Sequence, residues 1–415
     1  MRVKAMDDAP QDLLEPLRKR FPDPEPKTPE KGYLVRVSYP FIPPLAKESV
    51  VKAIDAATIS SATSVVQEFE AELGKHFSLP FAKACSSGYS ALVLALKLAK
   101  IKSGDHVLIP AFTMAAVVNA VVAVGANPIF VDCEEGQFNP SVKQYEQRLK
   151  PKTAALIVTH TYGIPADCYG LQKFCKANDL IFIEDIAEAI GSEYDGKLVG
   201  TFGDFACASL YANKTITAGD GGFVLSNCQT DEEAEHLMHR ANSYVNHGFS
   251  KDYHFLHFEF SGNYKMSGLQ AAFATPAVAL ISEVMEDRVR IASCYRKELG
   301  NISGLKVMPS NPYGRDAPWM FGVTVASKNL RTMIRQKLAD DGIETRNFFF
   351  PLHLQPMMLK LNNDHCSLTE ELPNAEQLGD TGLYLPTFYG MKHENIKYVA
   401  ECLKKALQNV ETVQG

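Results

Sequence analysis

Asp185 closes the apolar run Leu180-Ile181-Phe182-Ile183-Glu184-Asp185, and Lys214 follows in the glycine-rich turn Asn213-Lys214-Thr215-Ile216-Thr217-Ala218-Gly219-Asp220-Gly221-Gly222. A carboxylate at a strand end and a lysine in such a turn are the two groups a pyridine-ring aldehyde needs. The acid pairs with the ring nitrogen and the amine condenses with the aldehyde, so pyridoxal phosphate (PLP) is the first hypothesis. A third element, Cys85-Ser86-Ser87-Gly88-Tyr89-Ser90, stands immediately before the helical apolar pattern Ala91-Leu92-Val93-Leu94-Ala95-Leu96-Lys97. Free amides and the positive dipole end of a helix at such a junction hold a phosphate.

Residues of this kind have to be positioned by a sheet. From about 35 to 265, β-type apolar runs alternate with helical periodicity. The runs are 105–110, 127–132, 154–159 and 180–185; helical patterns at 114–125 and 167–178 separate them. That alternation predicts a mainly parallel sheet covered by helices, with ligands at the carboxyl ends of the strands. Residues 267 to about 299 form one long helical pattern interrupted at Pro276. Beyond it a strand (320–325), a helix (329–341) and a terminal amphipathic helix (394–408) predict a smaller α+β domain. With 415 residues and 46% hydrophobic content, the chain buries a large core and exceeds one ordinary domain. The expected division is a large PLP-binding domain over 35–299 with the connecting helix, and a small domain over 300–415. Residues 1–34, rich in Pro, Asp, Glu and Lys, read as a mostly flexible extension in which only Leu13-Leu14-Glu15-Pro16-Leu17 is able to pack.

Composition excludes several classes. The net charge is −6 and the basic residues are scattered, which argues against nucleic acid as a partner. The nine cysteines form no CxxC and no metal-ligand spacing, and read as buried thiols of a reducing compartment, with no metal. The first residues lack the apolar core of a signal peptide, and no apolar stretch approaches a membrane span. A soluble, cytoplasmic protein is expected.

The order and spacing of the motifs resemble the DegT/StrS family of sugar aminotransferases over nearly everything after the extension. The likeness rests on Ser86-Ser87-Gly88 with Ala91-Leu92, Pro110-Ala111-Phe112-Thr113, Phe130-Val131-Asp132, His160-Thr161-Tyr162-Gly163-Ile164-Pro165-Ala166-Asp167, Glu184-Asp185 and Gly203-Asp204 leading to Ser209. Lys214, Gly221-Gly222, Gly262-Asn263-Tyr264-Lys265-Met266 and Pro351-Leu352-His353-Leu354-Gln355-Pro356 follow in register. The resemblance implies an α/β protein of PLP-dependent transferase fold type I, aspartate-aminotransferase-like, with a mostly parallel mixed sheet in the large domain. It also implies a homodimer with shared active sites.

Roles carry over residue by residue. Lys214 is the implied Schiff-base group and general acid/base, and Asp185 the partner of the pyridine nitrogen. Glu188 stands where many family members carry Gln, facing the cofactor or the site of amino transfer. Ser87, Gly88, Tyr89 and Ser90 form the phosphate cradle with Ser209. Tyr89 replaces a frequent Thr, and Ser90 is expected to supply the hydroxyl instead. Met114 replaces a stacking aromatic ring and can cover a ring face with its thioether. Asn263 resembles the asparagine that reaches the neighbour's phosphate. Lys265 stands where Arg is frequent, which loses bidentate recognition. His160, Tyr162 and His353 take substrate-side roles in this reading, against the alternative of hydrogen-bonded structural residues.

The implied reaction is ping-pong. L-Glutamate converts PLP to pyridoxamine phosphate, which then aminates a nucleotide-linked keto sugar, with C4 of a 4-keto-6-deoxyhexose the expected position and C3 the alternative. A sugar 3-dehydratase is a second reading, although such relatives replace the lysine with histidine or add an iron–sulfur cluster. A non-catalytic regulator is a third, motivated by the extension, Tyr89 and Met114.

Overall fold

The structure, a computed structural model, describes residues 17–361 except Lys251 and His254, and residues 371–414. The β-type runs become β1 (Phe81–Cys85), β2 (His106–Pro110), β3 (Asn127–Val131), β4 (Thr153–Thr159) and β5 (Ile181–Asp185). A short hairpin follows, β6 (Glu193–Tyr194) with β7 (Lys197–Leu198), then β8 (Phe205–Ser209) and β9 (Gly222–Ser226). Seven of these form one sheet in the order β1-β9-β8-β5-β4-β2-β3. Pairs from β8 to β3 are parallel, and β9 runs antiparallel to both of its neighbours. Helices on both faces leave the central strands without solvent, and Leu156, Ile157 and Val158 are fully buried. Because β1, β2, β4, β5 and β8 point the same way, Ser87, Met114, His160, Asp185 and Ser209 all emerge at or just past one edge of the sheet.

The expected helix over 267–299 is two helices, Gly268–Val278 and Ile281–Leu299, bent by 64° at the break. Pro276 lies in the last turn of the first one, where its missing N–H and its ring weaken the continuing ladder. No single helix among the described residues is long and apolar enough to cross a membrane.

A second sheet, all antiparallel, has the order β10 (Leu305–Val307), β11 (Phe321–Val325), β13 (Gly382–Leu385), β12 (Arg346–Asn347). The Lys328–Asp340 helix packs on β11, and the His393–Gln414 helix packs on that helix and on Ile281–Leu299. Residues 34–37 are tied to the chain flanking this sheet. Val35 bridges Ile343 in parallel, the Leu34 amide donates to the Gly342 carbonyl (2.7 Å), and the Thr387 amide donates to the Val37 carbonyl (2.9 Å). Residues 20–25, expected to be loose, are held as well: Arg20 pairs with Glu376, Asp23 with Thr332 and Glu25 with Arg335. The charges that made this stretch look solvated meet partners more than 300 residues away. Of the part expected to pack, Leu13 to Pro16 lie outside the described residues, and Leu17 is buried.

Candidate active site

A cavity of about 390 Å³ opens at the carboxyl edge of the large sheet, with Asp185 and Lys214 in its wall. Asp185 is brought there by the end of β5, buried to 8% exposure, and its Oδ1 accepts the Ala187 amide at 3.0 Å. Burial pushes its carboxyl up to about 6, opposed by the Ala187 amide and the Lys214 charge. A carboxylate this dry has few partners and is ready for a cation.

Glu188, one turn past β5, lies beside the lysine. Its Oε1 is 3.5 Å from Lys214 Nζ, and its Oε2 accepts the Tyr162 amide at 2.9 Å. Burial raises the Glu188 carboxyl, with Lys214 and the Tyr162 amide opposing. On its other side the Lys214 ammonium sits 3.9 Å from the centroid of the Trp319 ring, a cation–π contact. Trp319 is itself fixed, since its indole N–H donates to the Asn213 carbonyl (2.7 Å) and its amide to the Tyr162 carbonyl (2.8 Å). Gly163 permits this approach. It holds φ +89°, and a Cβ there would lie 2.7 Å from the Trp319 nitrogen.

The phosphate end is the start of the Gly88–Leu98 helix. First-turn amides have no intrahelical acceptor, and Gly88 and Tyr89 both line the cavity with Ser87 and Ser209. Gly88 abuts β8: a Cβ there would come within 2.8 Å of Ser209 Cβ. Gly88→Ala is therefore expected to displace the cradle and weaken PLP binding by about tenfold or more, measured by equilibrium dialysis of the purified protein. Unaltered affinity would remove the cradle from this helix end.

The structure spends several expected ligands elsewhere. Ser90 is the clearest correction. It is buried and closes a capping box, its Oγ accepting the Ser87 amide (2.9 Å) and donating to the Ser87 carbonyl (2.8 Å), so that hydroxyl is turned away from the cavity. His160 borders the cavity, but its Nδ1 accepts the Ala166 amide (3.1 Å) and its Nε2 lies 3.1 Å from Glu184 Oε2. Glu184 also accepts amides of Gly200, Phe202 and Gly203. Together with Cys168 these groups cluster closely enough for a metal, yet His160 and Glu184 are committed to a hydrogen-bonded knot beneath the sheet edge.

Tyr162 is fully buried. Its hydroxyl accepts the Phe349 amide (3.1 Å) and its ring stacks on Phe349 at 5.0 Å, so its backbone rather than its side chain serves the site, by holding Glu188. His353 is buried against Glu376 (3.0 Å) behind the cavity wall. Met114 and Tyr89 do line the cavity and are partly exposed, at 54% and 37%. Asn263 and Lys265 lie outside this cavity of their own protomer. Lys265 pairs with Asn246 in a separate cleft of about 300 Å³.

Three lining residues that sequence reasoning missed as ligands are Trp319, Phe349 and Tyr384, all on the small-domain side. Trp319 is the chain's one tryptophan, a signal that was available; Phe349 and Tyr384 carry none. One polar group is also left over: the buried Oδ1 of Asn213, beside Lys214, has no hydrogen-bond partner. A dry carboxylate, an adjacent amine, open amides at a helix start and an unsatisfied acceptor fit a phosphorylated pyridine aldehyde.

A sequence model of the DegT/DnrJ/EryC1/StrS aminotransferase family matches residues 44–404. The chain belongs to this family. It is 34% identical over 359 residues to GDP-perosamine synthase of Escherichia coli O157:H7, covering 86% of this chain and 94% of that protein. It is 32% identical over 341 residues to a UDP-N-acetyl-3-dehydro-α-D-glucosamine 3-aminotransferase of Acidithiobacillus ferrooxidans, covering 81% and 87%. A Streptococcus pneumoniae protein solved in PLP and PMP forms superposes with a TM-score of 0.82 in each, at 22% and 23% identity, covering 90–91% of this chain and 98% of that one. This DegT-family chain is accordingly a PLP-dependent aminotransferase of fold type I.

PLP supplies an electron-withdrawing ring and an aldehyde when bound. Of the residues that would hold it, Lys214 would be the amine beside its aldehyde and the base that moves a proton through Nζ. Asp185 would hold the proton of the ring nitrogen, and Glu188, 3.5 Å from Lys214 Nζ, would keep the lysine near its working position. Removing that carboxylate has a visible consequence. Burial raises the Glu188 carboxyl, so it protonates as pH falls and weakens its hold on the lysine. Glu188→Gln should remove that step from the acid limb of kcat/KM and lower kcat/KM at pH 7 by about tenfold. An unchanged limb would place Glu188 outside the reaction.

Proposed function

We propose that this enzyme transfers the amino group of L-glutamate to C4 of GDP-4-keto-6-deoxymannose, forming GDP-perosamine. The observation that carries the reading is the triad at the lysine: Glu188 on one side, Trp319 on the other, Asp185 at the strand end. Asp185-Ile186-Ala187-Glu188-Ala189, Asn213-Lys214-Thr215-Ile216-Thr217, Ile59-Ser60-Ser61 and Trp319-Met320 are the segments that most resemble GDP-perosamine synthase. The 34% likeness to the Escherichia coli protein supports it. The 32% likeness to a 3-aminotransferase keeps amination at C3 of a UDP-linked sugar as the second reading.

The working unit in this proposal is a homodimer. Asn263 and Lys265 serve the neighbour's cavity, because neither faces its own. The segment before them exposes Phe258 and Phe260, at 69% and 99%, a cost in water that a second copy would remove.

Absorbance spectroscopy tests the reaction. The cofactor band should disappear with L-glutamate and return with GDP-4-keto-6-deoxymannose. Loss without return rejects that sugar and keeps the class; UDP-linked 3-keto sugars are then tried in its place.

A further inference from the structure

We propose that residues 20–25 are a strap that positions the small-domain wall of the substrate cavity, making Arg20, Asp23 and Glu25 positioning residues for sugar binding. The segment precedes the part of the chain that the family model matches, which begins at residue 44. It lies across the Lys328–Asp340 helix, whose Arg331 and Arg335 are almost wholly buried, at 0% and 3% exposure.

Buried guanidinium groups need counter-charges. Arg335 has Thr345 and Asn347 as neutral partners, and Glu25 supplies its anion. Arg331 donates to the Gly379 carbonyl (2.6 Å), and its Nη2 has no hydrogen-bond partner, with Asp23 3.9 Å away. Burial and then the neighbouring Arg335 press the Arg331 guanidinium down, and Asp23 is the first group to oppose them. Lys328 Nζ also donates to the Arg20 and Phe21 carbonyls (3.3 and 2.5 Å), so the strap's backbone is tied as well as its charges.

Three paths lead from the strap to the cavity. Glu25 also lies 3.7 Å from Arg346, which is opposite Tyr384 in the β12–β13 register, and Tyr384 lines the cavity. Phe21 packs edge-on against Phe350, next to the lining residue Phe349. Arg20 holds one oxygen of Glu376 while His353 holds the other at 3.0 Å, pinning the segment that carries both phenylalanines. The strap therefore touches no substrate and fixes the residues that do.

The test uses the full-length holoenzyme. Asp23→Asn with Glu25→Gln is expected to raise amide hydrogen exchange in peptides over 346–354 and 382–385 about tenfold, leaving 181–185 unchanged. It should also raise KM for GDP-4-keto-6-deoxymannose about fivefold at nearly constant kcat. Glu25→Asp, which keeps the charge, should stay near wild type. Unchanged exchange over 346–354 overturns the proposal, as does equal loosening of 181–185. Faster exchange with an unaltered KM reduces the strap to a structural tie and overturns the positioning role. The KM readout rests on the proposed substrate. If wild type does not turn that sugar over, the proposed function fails, and the exchange measurement alone decides the strap.

Discussion

Lys214→Ala is expected to lower the transamination rate by about ten-thousand-fold or more, the largest effect of any single substitution in this chain. In the proposed reaction the residue would have two tasks. It would be the amine that meets the cofactor's aldehyde, and the base that carries a proton between carbon atoms, a role worth about a hundred to ten thousand fold by itself. Among the described residues that line the cavity from its own protomer, Lys214 is the one lysine. Folding should survive, because among the described residues the lysine's Nζ holds Glu188 and the Trp319 face, and Trp319 keeps its own bonds to Asn213 and Tyr162. The check is single-turnover kinetics with L-glutamate alongside a circular dichroism spectrum. Retained activity above a hundredth of wild type would dismiss Lys214 as the catalytic amine.

Asp185→Asn should follow, with a loss of about a hundred- to a thousand-fold. The amide keeps the shape, and can still accept the Ala187 amide, but it has no charge to hold a proton on the ring nitrogen. Wild type has a matching pH signature. In the protein without cofactor, burial holds the Asp185 carboxyl at about 6, so it is neutral below that pH. Pairing with a protonated ring favours the carboxylate. Cofactor binding must therefore drive a proton off Asp185 when the pH is low. Affinity for PLP then rises with pH up to about 6 and levels off above it, falling by up to about tenfold per unit below. Titrating the cofactor into the unloaded protein between pH 4.5 and 8 reads this directly. A slope that persists unchanged in Asp185→Asn would assign the titration to another group.

These two residues were legible because their signals are local. A hydrophobic run ending in an acid marks a strand end, and the alternation of such runs with helical periodicity marks a sheet whose ends share one edge. Every β-type run named in the sequence over 105–185 forms a strand, within a residue or two at its ends. Glu188 was legible for the same reason, standing one turn past the strand that places Asp185. The His160 imidazole and the Ser90 hydroxyl were not. Each sits in a matched motif, but motif membership does not say which acceptor a side chain chooses. Ser90 is claimed by the helix cap, and His160 by Glu184 and the Ala166 amide.

By itself the sequence determined the order of strands and helices, the cofactor class and the lysine–aspartate pair, because burial periodicity and reactive residue types are written in consecutive residues. Only the tertiary structure decided the rest. It brought Trp319, Phe349 and Tyr384 across to close the cavity, and it set Tyr162 behind the wall rather than in it. It also joined Asp23 and Glu25 to arginines more than 300 residues away. The physical reason is the same in each case. Hydrogen bonds and ion pairs are awarded among all groups that folding makes neighbours, and desolvation decides which of them a buried charge cannot do without.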